Sequence, residues 1–491
     1  MSNTAYKGQV LPQSLNVNYI SDLTGSGKTE YLIEEITKNV NKNNDLYIIL
    51  TPNRVLCDEI YTRFFLKDEF VDDLACNIHQ KTVINPSKEI KKLLKSKTHN
   101  VLITTHASFL LGVKSNKILN DWNLVLDEEM PLYKEHEINI TATSKPIIDQ
   151  TVSFKEYDSN FYSVEASNVL LWMNIASDLV NDSFINNHDY SNLVKYTMND
   201  KFITLVSKHI LEKFNETNEK LDNEGKSFSK FYAMSFLSMD FLKQFKSVLV
   251  VCSFFEKTIS YKLFKQFGCN LTKKEIPTYF DKHPNSSKIT LHYFFEKNWS
   301  THLRKTKINR QKTIEELIYE KLTSLIGEKS FLFNANVSFR SKFSKGTLAV
   351  STHGINRYKN YTELVFMPSL NATSSIISML SNFGLNRETV DFSRNVLAAY
   401  QFVSRGAVRD LNNTKDVNIY VMDRRTIDFL KEVFPDAKVV YHETDIETGK
   451  KKSIPNNVKS FMSRVKKRLK NGESVRQKTI DKYNEYLQYY Y

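Results

Sequence analysis

Glycine is scarce in this chain, with 13 in 491 residues. The few present are expected where backbone geometry admits no side chain. Cysteine is scarcer still, at four positions, Cys57, Cys76, Cys252 and Cys269. Their wide spacing excludes a disulfide framework and a cysteine-held metal, and they read as buried thiols in a reducing compartment. Long apolar runs are missing: the longest, such as Ser247–Phe255, are strand-sized, so no membrane span is expected. The opening "MSNTAYKGQV" has neither an apolar core nor a cleavage-site pattern, so a secretory signal is not expected and the location reads as cytoplasmic. Arginine is absent between Arg63 and Arg304, and thirteen of the fifteen arginines lie between Arg304 and Arg476.

What is present describes a soluble globular chain: 41% hydrophobic and 25% charged residues exclude disorder, and the length allows two or three domains. The formal charge of +13 favours a polyanionic partner, nucleic acid first. Abundant Asn, Lys, Ile, Tyr and Phe also suit an AT-rich genome, which raises lysine by itself. In so arginine-poor a chain, the late arginines mark positions that require a planar, permanently charged fork.

Short apolar runs alternate with amphipathic segments in the first third. "NVNYI" (Asn16–Ile20), "DLYIILT" (Asp45–Thr51), "NVLITT" (Asn100–Thr105) and "WNLVLD" (Trp122–Asp127) read as strands, and Thr29–Asn41, Arg54–Phe65 and Ser87–Leu94 as helices. Continuous apolar strands separated by helices predict a parallel sheet covered on both faces. From about Met130 to Lys246 the pattern changes: Ala166–Val180 and Lys230–Phe245 read as helices and Asn215–Ser227 as an exposed loop, which predicts a mainly helical insertion. A second alternating series follows, with strands at Lys288–Phe295, Lys329–Ala335, Gly346–Ser351, Thr362–Met367 and Val417–Asp423, and helices at Thr313–Leu325, Ala372–Ser381 and Asp391–Ser404. The tail from about Tyr441 is polar and basic, with Lys459–Gly472 a basic amphipathic helix.

Two of the scarce glycines fall in "DLTGSGKTEYLIEEI" (Asp22–Ile36), between a strand and a helix. That context makes the turn a phosphate cradle: Gly25 and Gly27 let backbone N–H groups approach phosphate, and the helix N-terminus adds a positive dipole end. Thr24, Gly25, Ser26, Gly27, Lys28 and Thr29 are the expected nucleotide contacts, Lys28 neutralising phosphate charge and Thr29 ligating Mg²⁺. A second carboxylate site is required, and "NLVLDEEM" (Asn123–Met130) supplies it at the end of a buried strand. Asp127 would hold Mg²⁺ and Glu128 would orient and deprotonate the attacking water, with adjacent Glu129 the other carboxylate in reach.

Taken together these segments resemble the DEAD/DEAH-type superfamily 2 helicases, in a divergent form suited to a phage or mobile element. "TGSGKT" (Thr24–Thr29) has Asp22 where the general phosphate-loop pattern has glycine, a departure the family shares. "IILTPNRVL" (Ile48–Leu56) resembles motif Ia and "VLITTHASFL" (Val101–Leu110) the threonine-bearing motif after it. "VLVVCSFFEKT" (Val248–Thr258) stands in the place of motif III without its Ser-Ala-Thr. "STHGINRYKNYT" (Ser351–Thr362) resembles motif V, which puts Gly354 and Asn356 near the nucleotide. "YQFVSRGAVRD" (Tyr400–Asp410) resembles motif VI, whose arginines stabilise charge on the γ-phosphate; Arg405 and Arg409 take that role and Gln401 positions Arg405 or the water. An upstream glutamine, Gln9 or Gln13, stands where the family reads adenine.

The resemblance implies an α/β fold of two RecA-like P-loop domains with parallel sheets. Residues 1–132 with 247–260 would form the first, 133–246 the mainly helical insertion, 261–440 the second, and 441–491 a basic C-terminal extension. It implies ATP and Mg²⁺, and a grip on the phosphate backbone of nucleic acid at Thr51, Pro52 and Asn53, at Thr104, Thr105 and His106, and at Thr352 and His353. The expected activity is ATP-dependent helicase or translocase work, on single-stranded or forked DNA rather than RNA, alone or with replication or recombination proteins. The alternatives are a nucleic-acid-stimulated ATPase that remodels complexes without separating strands, a motor subunit of a larger assembly, and a small-molecule P-loop kinase.

Overall fold

Successive residues of the apolar runs point to opposite sides of one sheet, and both sides are covered. The computed structural model describes residues 14–67, 74–113, 117–140, 144–168, 188–220, 229–308, 312–340, 347–348, 358–444, 446 and 456–490. In chain order the first strands are β1 (Asn16–Ser21), β2 (Leu46–Thr51), β3 (Ala75–Ile78), β4 (Val101–Thr105) and β5 (Trp122–Asp127). Ile48, Leu50, Leu124 and Leu126 pack into one cluster, while Ile49, Val125, Val101 and Ile103 pack into another on the far face. Burial on both faces is why these strands are continuously apolar. Helices Lys28–Asn43, Arg54–Phe65 and Pro86–Ser96 supply the covering layers, the latter two capped by Asn53 and Asn85 side chains.

The insertion is a correction to the helical reading. It forms a five-stranded antiparallel sheet from β6 (Tyr133–Ile140), β7 (Val152–Glu156), β8 (Phe161–Ala166), β9 (Phe202–Ser207) and β10 (Ser229–Leu237), in the order β6-β10-β9-β8-β7. Its helices are Ser144–Thr151, His188–Thr197 and Lys208–Lys220. The stretch Lys230–Phe245, read as helical, is β10 followed by the short helix Met239–Leu242. In β10, Phe231 and Ala233 enter one core while Met234 and Phe236 enter the other, so residues of both strand faces are apolar and no period-2 alternation survives in the sequence. Helix Lys208–Lys220 also extends into the segment read as loop from Asn215, anchored by buried Leu211 and Phe214. The helix expected over Ala166–Val180 lies outside the described residues from 169 onward.

Strands β11 (Ser247–Cys252) and β12 (Asn270–Lys273) then return to the first sheet, whose order is β12-β1-β11-β5-β2-β4-β3, all parallel. The first lobe therefore runs past residue 260, to β12. The second parallel sheet contains β13 (Ile289–Tyr293), β16 (Phe331–Asn334), β17 (Thr347–Leu348), β18 (Glu363–Phe366), β19 (Val417–Val421) and β20 (Lys438–Tyr441), in the order β17-β16-β18-β19-β13-β20. The two parallel sheets define two α/β lobes. The rings of Phe161 and Phe236 from the insertion meet Phe383 of the second series at 5.1 and 4.6 Å.

The chain divides into two units, Met1–Thr301 with Glu320–His442, and His302–Tyr319 with Glu443–Tyr491. Both sheets and the insertion belong to the first. In the second, β14 (Lys307–Ile308) pairs antiparallel with β15 (Lys312–Thr313), and Arg304 and Glu315 form a buried ion pair at 2.7 Å. Its helices Asn456–Lys470 and Gln477–Tyr490 meet through Phe461 and Tyr486, ring centroids 5.7 Å apart. No helix among the described residues is long and apolar enough to cross a membrane.

Candidate nucleotide site between the parallel sheets

Register brings the chemistry together. Ser21 pairs with Cys252 across β1 and β11, and Val251 with Asp127 across β11 and β5. The glycine turn, the segment after β11 and the acidic turn therefore leave adjacent strand ends, the edge where open α/β sheets bind ligands. Gly25 and Gly27 adopt φ of +86° and +101°, a region that excludes most side chains, and the helix starts at Lys28. A Cβ on Gly27 would sit 3.1 Å from the Tyr279 ring. The Tyr279 N–H donates to the Ser26 carbonyl at 2.9 Å, so the segment joining the two lobes lies against the turn.

Lys28 is buried, and its Nζ donates to the carbonyls of Asp22 at 2.9 Å and Leu23 at 2.6 Å and to Ser253 Oγ at 3.1 Å. Burial pushes its pKa down, opposed chiefly by Glu128. Ser253 also meets Thr24 Oγ1 at 3.0 Å, so the segment after β11 touches the cradle through one hydroxyl despite lacking Ser-Ala-Thr. The Ser26 hydroxyl is buried with no protein partner, as expected of a cradle built for an acceptor-rich ligand.

Asp127 is buried, and burial followed by the charge of Glu128 raises its carboxyl pKa to about 7. A buried carboxylate whose charge is opposed by a neighbouring one has the chemistry to take a hard divalent cation. Among the described residues no group of three or more His, Cys, Asp or Glu side chains could hold a metal, so the cation would share its shell with phosphate oxygens.

The two glutamates after Asp127 part company. Glu128 takes a φ of +75°, uncommon for a side-chain-bearing residue, with its N–H on the Val251 carbonyl at 2.8 Å. Its carboxylate accepts Gln401 Nε2 at 3.1 Å and stands 3.8 Å from the Arg405 guanidinium. Glu129 turns away, accepting from Ser260 N and Oγ at 3.2 and 2.9 Å and from Ser393 Oγ at 3.1 Å. The cleft carboxylate is therefore Glu128.

Gln401 lies on helix Leu397–Val403 of the second lobe, with Arg405 just beyond its end. Arg405 is buried; burial lowers its pKa, against the pull of Glu128 first. Arg409 is half-buried on the short turn Ala407–Arg409, its pKa lowered to about 10 by burial and then by Arg405. Thr352, His353, Gly354 and Asn356 lie outside the described residues, as do Gln9 and Gln13.

The expected nucleic-acid contacts of the first lobe gather on the same sheet edge, Thr51 registering with Thr105. Their hydroxyls are engaged internally. Thr51 Oγ1 donates to the Asn53 carbonyl at 2.9 Å, Thr104 Oγ1 to that of Ile78 at 2.7 Å, and Thr105 caps helix His106–Gly112 by accepting from Ser108 N at 3.2 Å. His106 is buried, while Pro52 and Asn53 are half-buried at the tip. Sequence reasoning missed Ser253, Tyr279 and Tyr400 as parts of the site; of these, Tyr400 stands beside Gln401 at the start of the motif VI segment.

The architecture defines a two-lobed P-loop protein. Residues 5–145 match the family model for the DEAD/DEAH box helicase, so this part of the chain is similar to that domain. A curated relative, the transcription-repair-coupling factor of Rickettsia bellii (strain RML369-C), is 32% identical over 111 residues, 21% of this chain and 9% of the relative. Similar solved structures include Mss116p bound to ssRNA and AMP-PNP (10% identity, TM-score 0.35, covering 94% of this chain and 79% of that one). RecG bound to a three-way DNA junction is another (12% identity, TM-score 0.35, covering 86% and 42%), as is S. cerevisiae Dbp5 bound to RNA and ADP BeF3 (13% identity, TM-score 0.35, covering 89% and 87%).

Proposed function

We propose that this protein is an ATP-dependent nucleic-acid helicase or translocase of superfamily 2, with DNA as its track. The observation that carries the reading is Glu128: a carboxylate beside the phosphate loop of one lobe is held by Gln401 and Arg405 of the other. ATP would lie on Gly25–Thr29 with Lys28 released from the Asp22 and Leu23 carbonyls to the phosphates. Glu128 would take the proton of the attacking water, oriented by Gln401, and Arg405 with Arg409 would stabilise charge growing on the transferred phosphoryl group. A bound Mg²⁺, held by Thr29 and Asp127, would neutralise phosphate charge.

Loss of the γ-phosphate removes the contact that favours the closed pair, and the lobes part. If each lobe grips the strand, that cycle steps one lobe along it. The formal charge of +13 supports a polyanionic track, and the transcription-repair-coupling relative favours DNA. The test is ATP turnover with no polymer, single-stranded DNA, duplex DNA and RNA, beside strand displacement. Stimulation by DNA with displacement is expected, and loss of turnover in Lys28→Ala. Turnover indifferent to every polymer would overturn the motor, and unchanged turnover in Lys28→Ala would overturn the site. Stimulated turnover without displacement would assign the chain to remodelling of protein–nucleic-acid complexes instead.

A further inference from the structure

The phosphate loop is touched from the second lobe by a group that the mechanism above does not use. Tyr400 is wholly buried on helix Leu397–Val403, immediately before Gln401. Its hydroxyl accepts the backbone N–H of Thr24 at 2.8 Å, across 376 positions of sequence. The same hydroxyl lies 3.0 Å from Nε2 of His283, in the segment between β12 and β13 that joins the lobes. The ring is fixed by Phe254, Phe429 and Phe434, at centroid distances of 5.3, 6.1 and 6.4 Å. A phenol held this way has one place for its oxygen.

Thr24 N–H can only donate, so the Tyr400 oxygen is its acceptor. Burial, then the charge of Lys28, lowers the His283 pKa to about 4, so the ring beside the phenol is neutral near pH 7. Burial likewise raises the Tyr400 pKa to about 12, keeping the proton on the phenol. The phenol thus links the phosphate loop to the imidazole, engaging two elements outside the first lobe's sheet. Thr24 is buried too, so its N–H has no route to bulk water if the phenol oxygen is removed.

We infer that Tyr400 is a positioning residue of the phosphate loop, its hydroxyl holding Thr24 in the cradle and so making the nucleotide affinity of the first lobe depend on the second. The inference rests on the reading of the Gly25–Thr29 turn as the nucleotide site. The motif VI helix thereby acts at two places, with Gln401 and Arg405 addressing Glu128 and Tyr400 addressing the loop. Because the hydroxyl touches neither Glu128 nor the expected site of bond cleavage, it acts on binding and not on the chemical step.

The test uses the full chain and the Tyr400→Phe substitution, which removes one oxygen and keeps the ring. Equilibrium binding of a fluorescent ATP analogue should weaken roughly 5- to 10-fold, the loss of one buried hydrogen bond. Turnover at saturating ATP should stay within about twofold, a split that general loosening of the fold would not give. His283→Gln should weaken binding in the same direction, and the double substitution should fall short of the sum of the two, as for residues in one network. If Tyr400→Phe lowers the melting temperature strongly, His283→Gln alone decides. Wild-type nucleotide affinity in the variant that folds would overturn the inference, as would binding and turnover falling together. A wild-type chain that binds no nucleotide would instead overturn the site.

Discussion

Substituting Gly27 with alanine probes the cradle with a single methyl group, and its cost can be worked from two local terms. At φ +101° an alanine lies outside the ordinary left-handed basin, a strain of about 1–3 kcal/mol. The added Cβ would also stand 3.1, 3.2 and 3.3 Å from three carbons of the Tyr279 ring, tight enough that the ring must give by a few tenths of an ångström. Tyr279 is 65% exposed, so the ring can swing outward. Doing so strains the Tyr279 N–H to Ser26 carbonyl bond, worth about 1 kcal/mol. The sum is about 2–4 kcal/mol. Denaturant melts of wild type, Gly27→Ala, Tyr279→Ala and the double substitution separate the terms. In the Tyr279→Ala background the glycine substitution should cost about 1 kcal/mol less than in wild type, because only the backbone term remains. Equal costs in the two backgrounds would refute the ring contact, and no cost in either would refute the conformation assigned to Gly27.

Further substitutions follow from the same geometry. Glu128→Gln should lower saturated ATP turnover by roughly 10²–10⁴-fold, while Glu129→Gln, which loosens only the Ser260 and Ser393 contacts, should leave most of it, as a steady-state ATPase assay will read. Phe383→Ala removes the ring shared by Phe161 and Phe236 and should destabilise the chain by about 3–5 kcal/mol in urea. His136 and His283 are held neutral, burial lowering their pKa values to about 3 and about 4. The unfolded imidazoles take up protons near pH 6.5, so stability is full above that pH and falls as pH drops toward the folded values. The loss is about 2 kcal/mol per histidine by pH 5. Replacing both with asparagine should flatten the dependence of the urea midpoint between pH 7 and pH 5, and an unchanged slope would contradict their burial as neutral rings.

The parallel sheets and the phosphate turn were legible in the sequence because burial on both faces writes itself as unbroken apolar runs, as in Ile48–Leu50, and because two neighbouring glycines in a glycine-poor chain mark a backbone need. The insertion was not. β10 buries Phe231 on one side and Phe236 on the other, so its pattern carries no period, and a two-faced apolar strand is indistinguishable from a buried helix. Short edge strands such as β3 and β12, four residues each, lie below the length at which periodicity is readable. Within the site, the acidic turn pointed to Glu128 as the base with Glu129 beside it; what parts the two carboxylates is the φ of +75° at Glu128, which no residue type announces. Tyr400 escaped notice for a related reason, since its partners, Thr24 and His283, come from distant parts of the chain.

The central claim is that two lobes share one hydrolytic site. Single-turnover ATP hydrolysis by Arg405→Ala, with nucleotide affinity measured on the same preparation, tests it most directly. The account predicts hydrolysis slower by roughly 10³-fold or more, with affinity changed by less than about tenfold. Hydrolysis at the wild-type rate would contradict it, because the guanidinium 3.8 Å from Glu128 would then be a mere structural contact.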